Sequence, residues 1–169
     1  MCALSAQNAY FLPQQNKDAK AAILNAIENA KSTIDIAMYS FTNKDIAKAL
    51  RQASKRGVVV HLILDYSQNA QNEESVMNSL AKLYRVKVCL LSGLKARAYN
   101  RYHNPNYLGL MHHKIMIIDK NLFFTGSLNY SANSFSNSYE NLLIIDDPGV
   151  LTQANAAFSA MLEKCPGLL

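Results

Sequence analysis

Hydrophobic residues recur every three or four positions in parts of this chain, a spacing that predicts helices with one buried face. The clearest case begins at Asn16, a predicted N-cap, and places Ile23 and Ile27 on the same face. Thr42 or Asn43 is predicted to cap a second helix. The predicted helices cover residues 16–31, 44–55, 73–84 and 148–164, the second ending at Gly57 and the last beginning with Pro148.

Shorter apolar runs between these helices predict strands, because they are rich in β-branched residues. Residues 58–64 are almost continuously apolar, which indicates a central strand buried on both faces. Residues 111–118 and 122–125 are separated only by Asp-Lys-Asn, which predicts a β-hairpin. The predicted strands are residues 10–12, at a sheet edge, and residues 34–39, 58–64, 86–91, 111–118, 122–125 and 141–145.

Strands that alternate with helices predict an α/β fold. We expect a layered α-β-α sandwich, in which a mixed central sheet carries helices on both faces. The chain has 169 residues, of which 50% are hydrophobic and 17% charged, enough for a domain with its own core. No linker or internal repeat interrupts the pattern, so residues 1–169 are expected to form a single domain.

The three cysteines leave several pairings open. Cys89 lies in an apolar run and is expected to be a buried free thiol. Cys2 and Cys165 lie near the two ends and could pair in an oxidising compartment, although all three could also be free. Cys2 at a mature terminus would also suit lipidation. No apolar run reaches the roughly 18–20 residues that span a bilayer, and no signal peptide is visible at the start.

The formal net charge of +5 is concentrated in one part of the chain. Residues 75–118 contain seven of the 17 Lys and Arg residues and none of the 12 Asp and Glu residues. Tyr84, Tyr99, Tyr102 and Tyr107 are interleaved with them. Basic residues with aromatics suit a nucleic-acid backbone and its stacked bases, so we expect a polyanion to bind here. An ordinary solvated basic surface is the alternative.

Residues 92–109 show no periodicity and hold much of this charge. A loop of this length inside a compact domain is usually functional or mobile. We therefore expect it to contact substrate through Lys95, Arg97, Tyr99, Arg101 and His103.

The strongest chemical signal follows this loop, in the predicted strand 111–118. Residues i and i+2 of a strand share a face, so His112 and Lys114 should point the same way and His113 the other way. An imidazole takes or gives a proton near neutral pH, and an ammonium beside it can hold a phosphate oxygen. We therefore interpret the pair as a site for phosphoryl chemistry. The alternative is that these polar residues flank a buried apolar strand by chance.

The pattern H-x-K-x4-D-x6-G-S-x-N resembles the signature of the phospholipase D superfamily. Six residues match it without a gap: His112, Lys114, Asp119, Gly126, Ser127 and Asn129. Residues 38–42, residues 56–65 and Glu140 also resemble the small, single-motif bacterial endonucleases of the Nuc type within this superfamily.

The resemblance implies a metal-independent phosphodiesterase that needs no cofactor and builds one active site across a homodimer. One imidazole cannot be nucleophile and acid in the same step, so the chemistry also favours a second copy of the chain. One His112 would attack phosphorus and form a phosphohistidine, while His112 of the partner subunit would protonate the leaving oxygen. Lys114 and Asn129 would hold the non-bridging oxygens.

The remaining motif residues are expected to support this reaction. Glu140 would accept a hydrogen bond from the far ring nitrogen of His112, unless it is a buried structural carboxylate. Asp119 is expected to act in the turn and its network more than in the reaction, and Ser127 either donates to phosphate or caps the turn. His61 is expected to be a satisfied core histidine. No Cys or His set has zinc-ligand spacing, so no metal site is predicted.

Three functions remain open at this point. A nuclease is the leading one, acting on single-stranded DNA or on RNA. A phospholipid phosphodiesterase is the first alternative, although the basic, polar loop lacks the apolar surface of an interfacial enzyme. The second alternative is a nucleic-acid-binding module without catalytic activity. The intact motif argues against it. The resemblance also implies a periplasmic or exported protein, whose signal segment is expected to precede this sequence.

Overall fold

A computed structural model describes residues 7–95 and 108–165 of the chain. The strands are β1 Gln7–Leu12, β2 Thr33–Met38, β3 Val59–Asp65, β4 Val86–Leu91, β5 Lys114–Ile118, β6 Leu122–Gly126 and β7 Glu140–Ile145. The helices are α1 Asn16–Asn29, α2 Lys44–Lys55, α3 Tyr66–Asn69, α4 Met77–Leu80, α5 Ala132–Ser136 and α6 Pro148–Leu162.

The strands form one mixed sheet in the order β1-β7-β6-β5-β2-β3-β4. β2, β3 and β4 are parallel, and the other neighbours pair antiparallel. β2 and β5 lie side by side in the middle, with Met38 opposite Lys114. The end of the first parallel strand is therefore beside the beginning of the motif strand.

Helices cover both faces of the sheet, as the alternating pattern predicted. On one face, α1 and α2 bury Ile23 and Leu50 in a cluster that includes Ile36 of β2. On the other face, Phe158 of α6 packs in a cluster with Ile63 of β3. The predicted layered α/β fold is thus confirmed.

The caps of the first two long helices differ from each other. Asn43 caps α2 as predicted, because its side-chain oxygen accepts hydrogen bonds from two backbone N–H groups at the start of the helix, both at 3.1 Å. Asn16 is already helical, since the Gln15 carbonyl accepts from the Ala19 N–H at 2.9 Å. The prediction of Asn16 as a cap was therefore wrong by one residue.

The helix predicted for residues 73–84 is wrong in length, because only α4 is helical there. Asn72 Oδ1 accepts from the Glu74 N–H at 3.0 Å, and Ser75 Oγ accepts from the Met77 N–H at 3.3 Å. Such local side-chain bonds offer the backbone an alternative to helical pairing. They leave one helical turn where the apolar spacing indicated three.

Cys89 forms a disulfide with Cys165, which corrects both cysteine predictions. Side chains alternate along β4, so Cys89 faces the α6 layer while Val88 faces the other core cluster. Cys165, just after α6, packs against the same cluster. Cys165 is therefore not available to Cys2, which lies outside the described residues. In the part of the chain that is described, no helix combines the length and apolarity that crossing a membrane requires.

Candidate functional site

The motif residues gather where β2 and β5 lie side by side. Lys114 is the first residue of β5, and the two histidines precede it outside the strand. The predicted strand 111–118 was thus three residues too long. Asp65, at the end of β3, explains the difference, because its Oδ2 accepts the Met111 N–H at 2.9 Å and holds this segment against β3.

His112 and Lys114 meet on one aromatic ring. Tyr39, the first residue after β2, lies edge-on to the His112 imidazole, with 4.5 Å between the ring centroids. Lys114 Nζ lies 4.8 Å from the centroid of the same Tyr39 ring. Lys114 Nζ also donates to the backbone oxygen of His112 at 2.9 Å. The structure brings the imidazole and the ammonium together, through Tyr39 rather than through strand alternation.

Asn129 is oriented by the segment that follows β2. The Ser40 N–H donates to Asn129 Oδ1 at 3.2 Å, which leaves the amide nitrogen as the donor for a ligand. The backbone N–H groups of Thr42 and Asn43 both donate to the backbone oxygen of Tyr130 at 2.9 Å. The segment after β2 therefore positions both halves of the motif.

Gly126 approaches the neighbouring strand so closely that only glycine fits. Its φ is +146°, and a Cβ there would lie 2.2 Å from the backbone oxygen of Asn141. The Ser127 N–H donates to Asn141 Oδ1 at 2.9 Å, and the Asn141 N–H donates to Ser127 Oγ at 3.0 Å. These bonds hold the Gly-Ser turn of the motif against β7.

Glu140, at the start of β7, accepts a hydrogen bond from the Ser127 hydroxyl. Among the described residues of this one subunit, its observed partner is therefore Ser127 and not the expected His112. The physical reason is the pairing of β6 with β7, which sets the Gly-Ser turn beside Glu140. Burial lowers the pKa of Lys114, and the negative charges of Glu140 and Asp65 oppose that change.

Asp119 lies at the other end of β5, about 16 Å along the strand from Lys114. Its Oδ1 accepts from Ser32 N–H, Ser32 Oγ and Thr33 N–H at 2.7, 2.8 and 2.9 Å, and its Oδ2 accepts from Lys31 N–H at 2.8 Å. Burial alone would raise the pKa of Asp119, but these hydrogen bonds outweigh it and lower the pKa. Asp119 therefore has the turn role that was also expected, and it lies too far from Lys114 to belong with the catalytic residues.

The surroundings of His112 lower the pKa of its imidazole below the ordinary value. Partial burial is the largest cause, and the positive charge of Lys114 and the neighbouring His113 act in the same direction. The carboxylate of Asp65, which is 1% exposed, opposes them. The imidazole is therefore favoured in its unprotonated form, which has a lone pair to donate.

Three residues of this site were absent from the predicted set: Tyr39, Ser40 and Asp65. Tyr39 and Ser40 directly follow β2, and Asp65 ends β3. Ligand sites of α/β sheets gather at the carboxyl ends of adjacent parallel strands. Polar residues at the ends of two buried strands are the signal that could have found them.

Of the predicted substrate-binding residues, Lys95 lies within the described ranges. Arg97, Tyr99, Arg101 and His103 lie outside them. Lys95 forms an isolated β-bridge with Leu108, and the Gly93 N–H donates to the Gly109 oxygen at 2.7 Å. The two ends of this basic loop are thus held together, and the second end leads directly into the histidine segment.

His61 belongs to a polar cluster around the buried Asp35 in the sheet. Its Nδ1 lies 2.7 Å from Asp35 Oδ1, and Lys120 pairs with the other oxygen of this fully buried carboxylate. Burial would raise the pKa of Asp35, but the bonds to His61 and Lys120 lower it. His61 is therefore a satisfied histidine, as expected. Across residues 7–95 and 108–165, no three His, Cys, Asp or Glu side chains are grouped to hold a metal ion.

Residues 23–162 match the family model described as cardiolipin synthase, PLD-like domain. Among solved structures, NucT from Helicobacter pylori is 40% identical, with a TM-score of 0.90, and the match covers 97% of this chain and 99% of that one. Nuc from Salmonella typhimurium, described as a phospholipase D family member, is 26% identical with a TM-score of 0.79, covering 96% and 97%.

Curated relatives match over a smaller share of this chain. The mitochondrial cardiolipin hydrolase of Mus musculus is 28% identical over 132 residues, which are 78% of this chain and 52% of that protein. Phospholipase D of Rickettsia conorii is 31% identical over 125 residues, covering 74% and 54%. The chain thus spans about half the length of these curated relatives. The family-model match runs from within α1 to the end of α6 and includes every residue of the site described above.

Proposed function

This chain belongs to the phospholipase D family, and from that premise we propose that it is a metal-independent phosphodiesterase that cleaves nucleic acid. The observation that carries the proposal is the contact of His112 and Lys114 with the single ring of Tyr39. It holds a nucleophile and a phosphate-binding cation in one place, while Asn129 adds an oriented amide donor. Attack on an unreactive, negatively charged ester requires this combination.

In the proposed first step, an unprotonated ring nitrogen of His112 attacks phosphorus. The lowered pKa of His112 supports this role, because a protonated imidazole has no lone pair to donate. The P–N bond forms as the bond to the leaving oxygen breaks, and that oxygen takes a proton. Water then attacks the phosphohistidine and loses a proton, which releases a phosphomonoester and the free imidazole.

Lys114 and Asn129 stabilise the charge that builds on the non-bridging oxygens. Ser127 and Glu140 act through position, because their hydrogen bond and the bonds of Ser127 to β7 fix the turn that carries Asn129. Asp119 holds the far end of the motif strand in the same way.

The need for a second proton carrier is the reason to propose a homodimer. Within the described residues, the Tyr39 ring holds one imidazole beside Lys114, and that imidazole cannot donate its lone pair and supply a proton in one step. A two-fold axis through the site would place a second imidazole opposite the first. His112 of the partner subunit would then protonate the leaving oxygen and later accept the proton of water.

Nucleic acid is the proposed substrate because the segment that precedes the motif in the sequence is strongly basic. Residues 75–118, which lead into the motif, carry seven basic and no acidic residues. Lys95 at the base of the loop, with Arg97, Tyr99, Arg101 and His103 within it, belongs to this proposal. NucT and Nuc, whose matches cover nearly the whole length of both chains, also carry the Nuc name of the endonuclease group that the motif resembles.

A phospholipid is the second candidate substrate, supported by a different observation. Leu94, Leu108 and Leu110 are 79%, 48% and 45% exposed at the two ends of the basic loop. Apolar side chains in such a position could enter a lipid surface. Cardiolipin hydrolase and phospholipase D, the names of the curated relatives, also refer to lipids.

The direct test offers the purified protein four labelled substrates with excess EDTA: single-stranded DNA, duplex DNA, RNA and vesicles that contain anionic phospholipid. We expect the single-stranded nucleic acids to be cleaved and the vesicles to stay intact. Hydrolysis of phospholipid alone would establish the second candidate. Loss of nuclease activity on chelation, restored by one divalent metal, would reject the metal-independent mechanism.

Subunit mixing tests the shared site. Wild-type chains are exchanged with an excess of His112→Ala chains, so that most wild-type chains enter dimers with one histidine. Activity should fall roughly as the square of the wild-type fraction, for random pairing of equally stable dimers. A linear fall, or full activity of an isolated monomer, would show that one motif suffices.

We also propose an exported or periplasmic location. The disulfide between Cys89 and Cys165 supports it, because disulfides persist in oxidising compartments. Alkylation of the protein from its native cells, without reductant, should leave these two cysteines unmodified. Modification of both would contradict the proposal.

A further inference from the structure

A row of exposed cations on α2 leads away from the site. The α2 stripe, as we name it, consists of Lys44, Lys48, Arg51 and Lys55. Their spacing of four, three and four residues places them within an arc of about 60° on the helix. Ile46 and Leu50, on the opposite side, are buried in the core. The stripe therefore faces solvent along the whole length of the helix.

No ion pair neutralises the stripe among the described residues. Asp45, the acid on the same helix, is paired with Lys20 of α1. Like charges three or four residues apart destabilise a helix by about 0.2–0.5 kcal/mol per pair. Asp45 also attracts Lys48, and a cation in the last turn, such as Lys55, is favourable at a helix C-terminus, but these local effects do not account for the whole row of four, whereas an anionic ligand would.

The stripe begins beside the motif. Lys44 directly follows Asn43, whose N–H donates to the oxygen of Tyr130, the neighbour of Asn129. From there the 12 residues of α2 extend for about 18 Å. Successive cations are about 5–6 Å apart at their Cβ atoms, which is similar to the distance between phosphates of an extended nucleotide strand.

We infer that the α2 stripe binds the sugar-phosphate backbone of the substrate on one side of the scissile bond. The inference rests on the proposed function, because it requires a polynucleotide substrate. The stripe contains no aromatic residue on which bases could stack. Its contacts are therefore with phosphates alone, which add affinity for longer strands without selecting a sequence.

An anionic membrane fits this surface less well than a single strand does. The α2 stripe lines a groove whose lining also includes Glu73 and Glu74, so a flat bilayer over this groove would meet both signs of charge. A single nucleic-acid strand is narrow enough to lie along the cations of α2 without covering the two glutamates. Interfacial helices also insert an apolar face, whereas the apolar face of α2 is already buried against the sheet.

The test compares two variants that each lose three positive charges. The stripe variant is Lys48→Gln, Arg51→Gln, Lys55→Gln, which leaves unchanged the cation nearest the site. The control variant is Lys17→Gln, Lys31→Gln, Lys164→Gln, whose side chains are exposed and lie outside the groove and the basic loop. Binding of a labelled 30-nucleotide single strand is measured against salt in the His112→Ala background, which prevents turnover.

The stripe variant should flatten the dependence of log affinity on log salt by up to about 2, at about 0.7 per phosphate contact. With His112 intact, its KM for the 30-nucleotide strand should rise about ten-fold or more. Turnover of bis(p-nitrophenyl) phosphate, too short to reach α2, should not change. The control variant should change the slope and the KM much less. The stripe variant should melt at or above the wild-type temperature, because it removes repulsion between like charges.

The outcomes separate this inference from the proposed function. If the wild type cleaves the strand and the two variants behave alike, the inference is overturned while the proposed function stands. If the wild type cleaves no polynucleotide, the proposed function fails. The binding measurements on the stripe and control variants then still test whether the stripe binds a nucleic-acid strand. In that case, loss of binding to anionic vesicles by the stripe variant, with strand binding unchanged, would overturn the inference in favour of a membrane surface.

Discussion

The ring of Tyr39 meets the imidazole of His112 edge-on, with 4.5 Å between the centroids, and the same ring contacts the Lys114 ammonium. An edge-to-face ring contact contributes about 0.5–1.5 kcal/mol, and a cation over a ring about 0.5–2 kcal/mol. Tyr39 therefore fixes the spacing of the two groups that we propose act on phosphate. This role makes it a positioning residue.

Tyr39→Ala should lower kcat/KM by about 10- to 100-fold, because His112 and Lys114 lose their common contact. Tyr39→Phe keeps the ring and should retain most of the activity. In Tyr39→Ala the NMR-measured pKa of His112 should also rise, since partial burial of the imidazole lowers it. Equal losses in both variants would assign the effect to the hydroxyl group and contradict the ring contact.

His112→Ala should abolish cleavage while the protein remains folded and still binds nucleic acid. The adjacent histidine supplies a matched control, because His113 has an exposed side chain and no part in the proposed reaction. We expect His113→Ala to keep activity within a few-fold of wild type. Turnover by His112→Ala above roughly a thousandth of wild type would be incompatible with covalent catalysis by this residue.

Replacing Lys114 with Met should raise the pKa of the His112 imidazole toward its ordinary value. The ammonium is one of the causes that lower this pKa, so its removal makes protonation easier. The wild-type NMR titration midpoint should therefore lie below 6.5, and the variant midpoint should be higher. Lys31→Met, at the far end of the sheet, is the control, and an unshifted midpoint in Lys114→Met would contradict the stated cause.

Asp119→Ala should reduce the free energy of unfolding by about 2–4 kcal/mol, because Lys31, Ser32 and Thr33 lose a charged acceptor. Asp119→Asn should lose less, since asparagine keeps one acceptor oxygen and tolerates the φ of +50°. Denaturant titration measures both, and kcat/KM at a temperature where both variants are folded should stay near wild type. A catalytic loss without destabilisation would return Asp119 to the reacting groups.

The lowered pKa of Asp119 also predicts a pH dependence of stability. A carboxyl group whose pKa is lower in the folded state stabilises the protein above its unfolded value of 3.8, and this contribution is lost as the pH falls through the folded value. Acid should therefore narrow the stability difference between wild type and Asp119→Ala. A difference that stays constant down to the folded pKa would contradict this linkage.

Gly126→Ala should lower both stability and activity, because the new Cβ would lie 2.2 Å from the Asn141 oxygen and would displace Ser127. Gly57→Ala is a matched control. It also has a positive φ, of +103°, but the new Cβ would meet no atom within 4 Å. It should therefore cost stability without reducing kcat/KM. Equal loss of activity in both variants would mean that backbone strain, and not the clash beside Ser127, is responsible.

Elements with an unambiguous local pattern were predicted residue for residue. Helix α2 has a strong cap in Asn43 and one apolar face, and its predicted and observed bounds agree at Lys44–Lys55. Strand β4 also agrees at Val86–Leu91. The segment 73–84 failed because its polar side chains bind nearby backbone groups, which apolar periodicity does not reveal.

The amino-acid sequence alone determined the α/β class, the family motif and the pairing of His112 with Lys114. Local periodicity encodes which face of each element is buried. A motif with fixed spacing can be recognised in the sequence without knowing which residues are in contact. The tertiary structure decided which distant residues meet: Tyr39 with His112, Asp65 with Met111, Ser127 with Glu140, and Cys89 with Cys165. These contacts depend on the order of strands in the sheet, which joins residues far apart in the chain and leaves no periodic trace in the sequence.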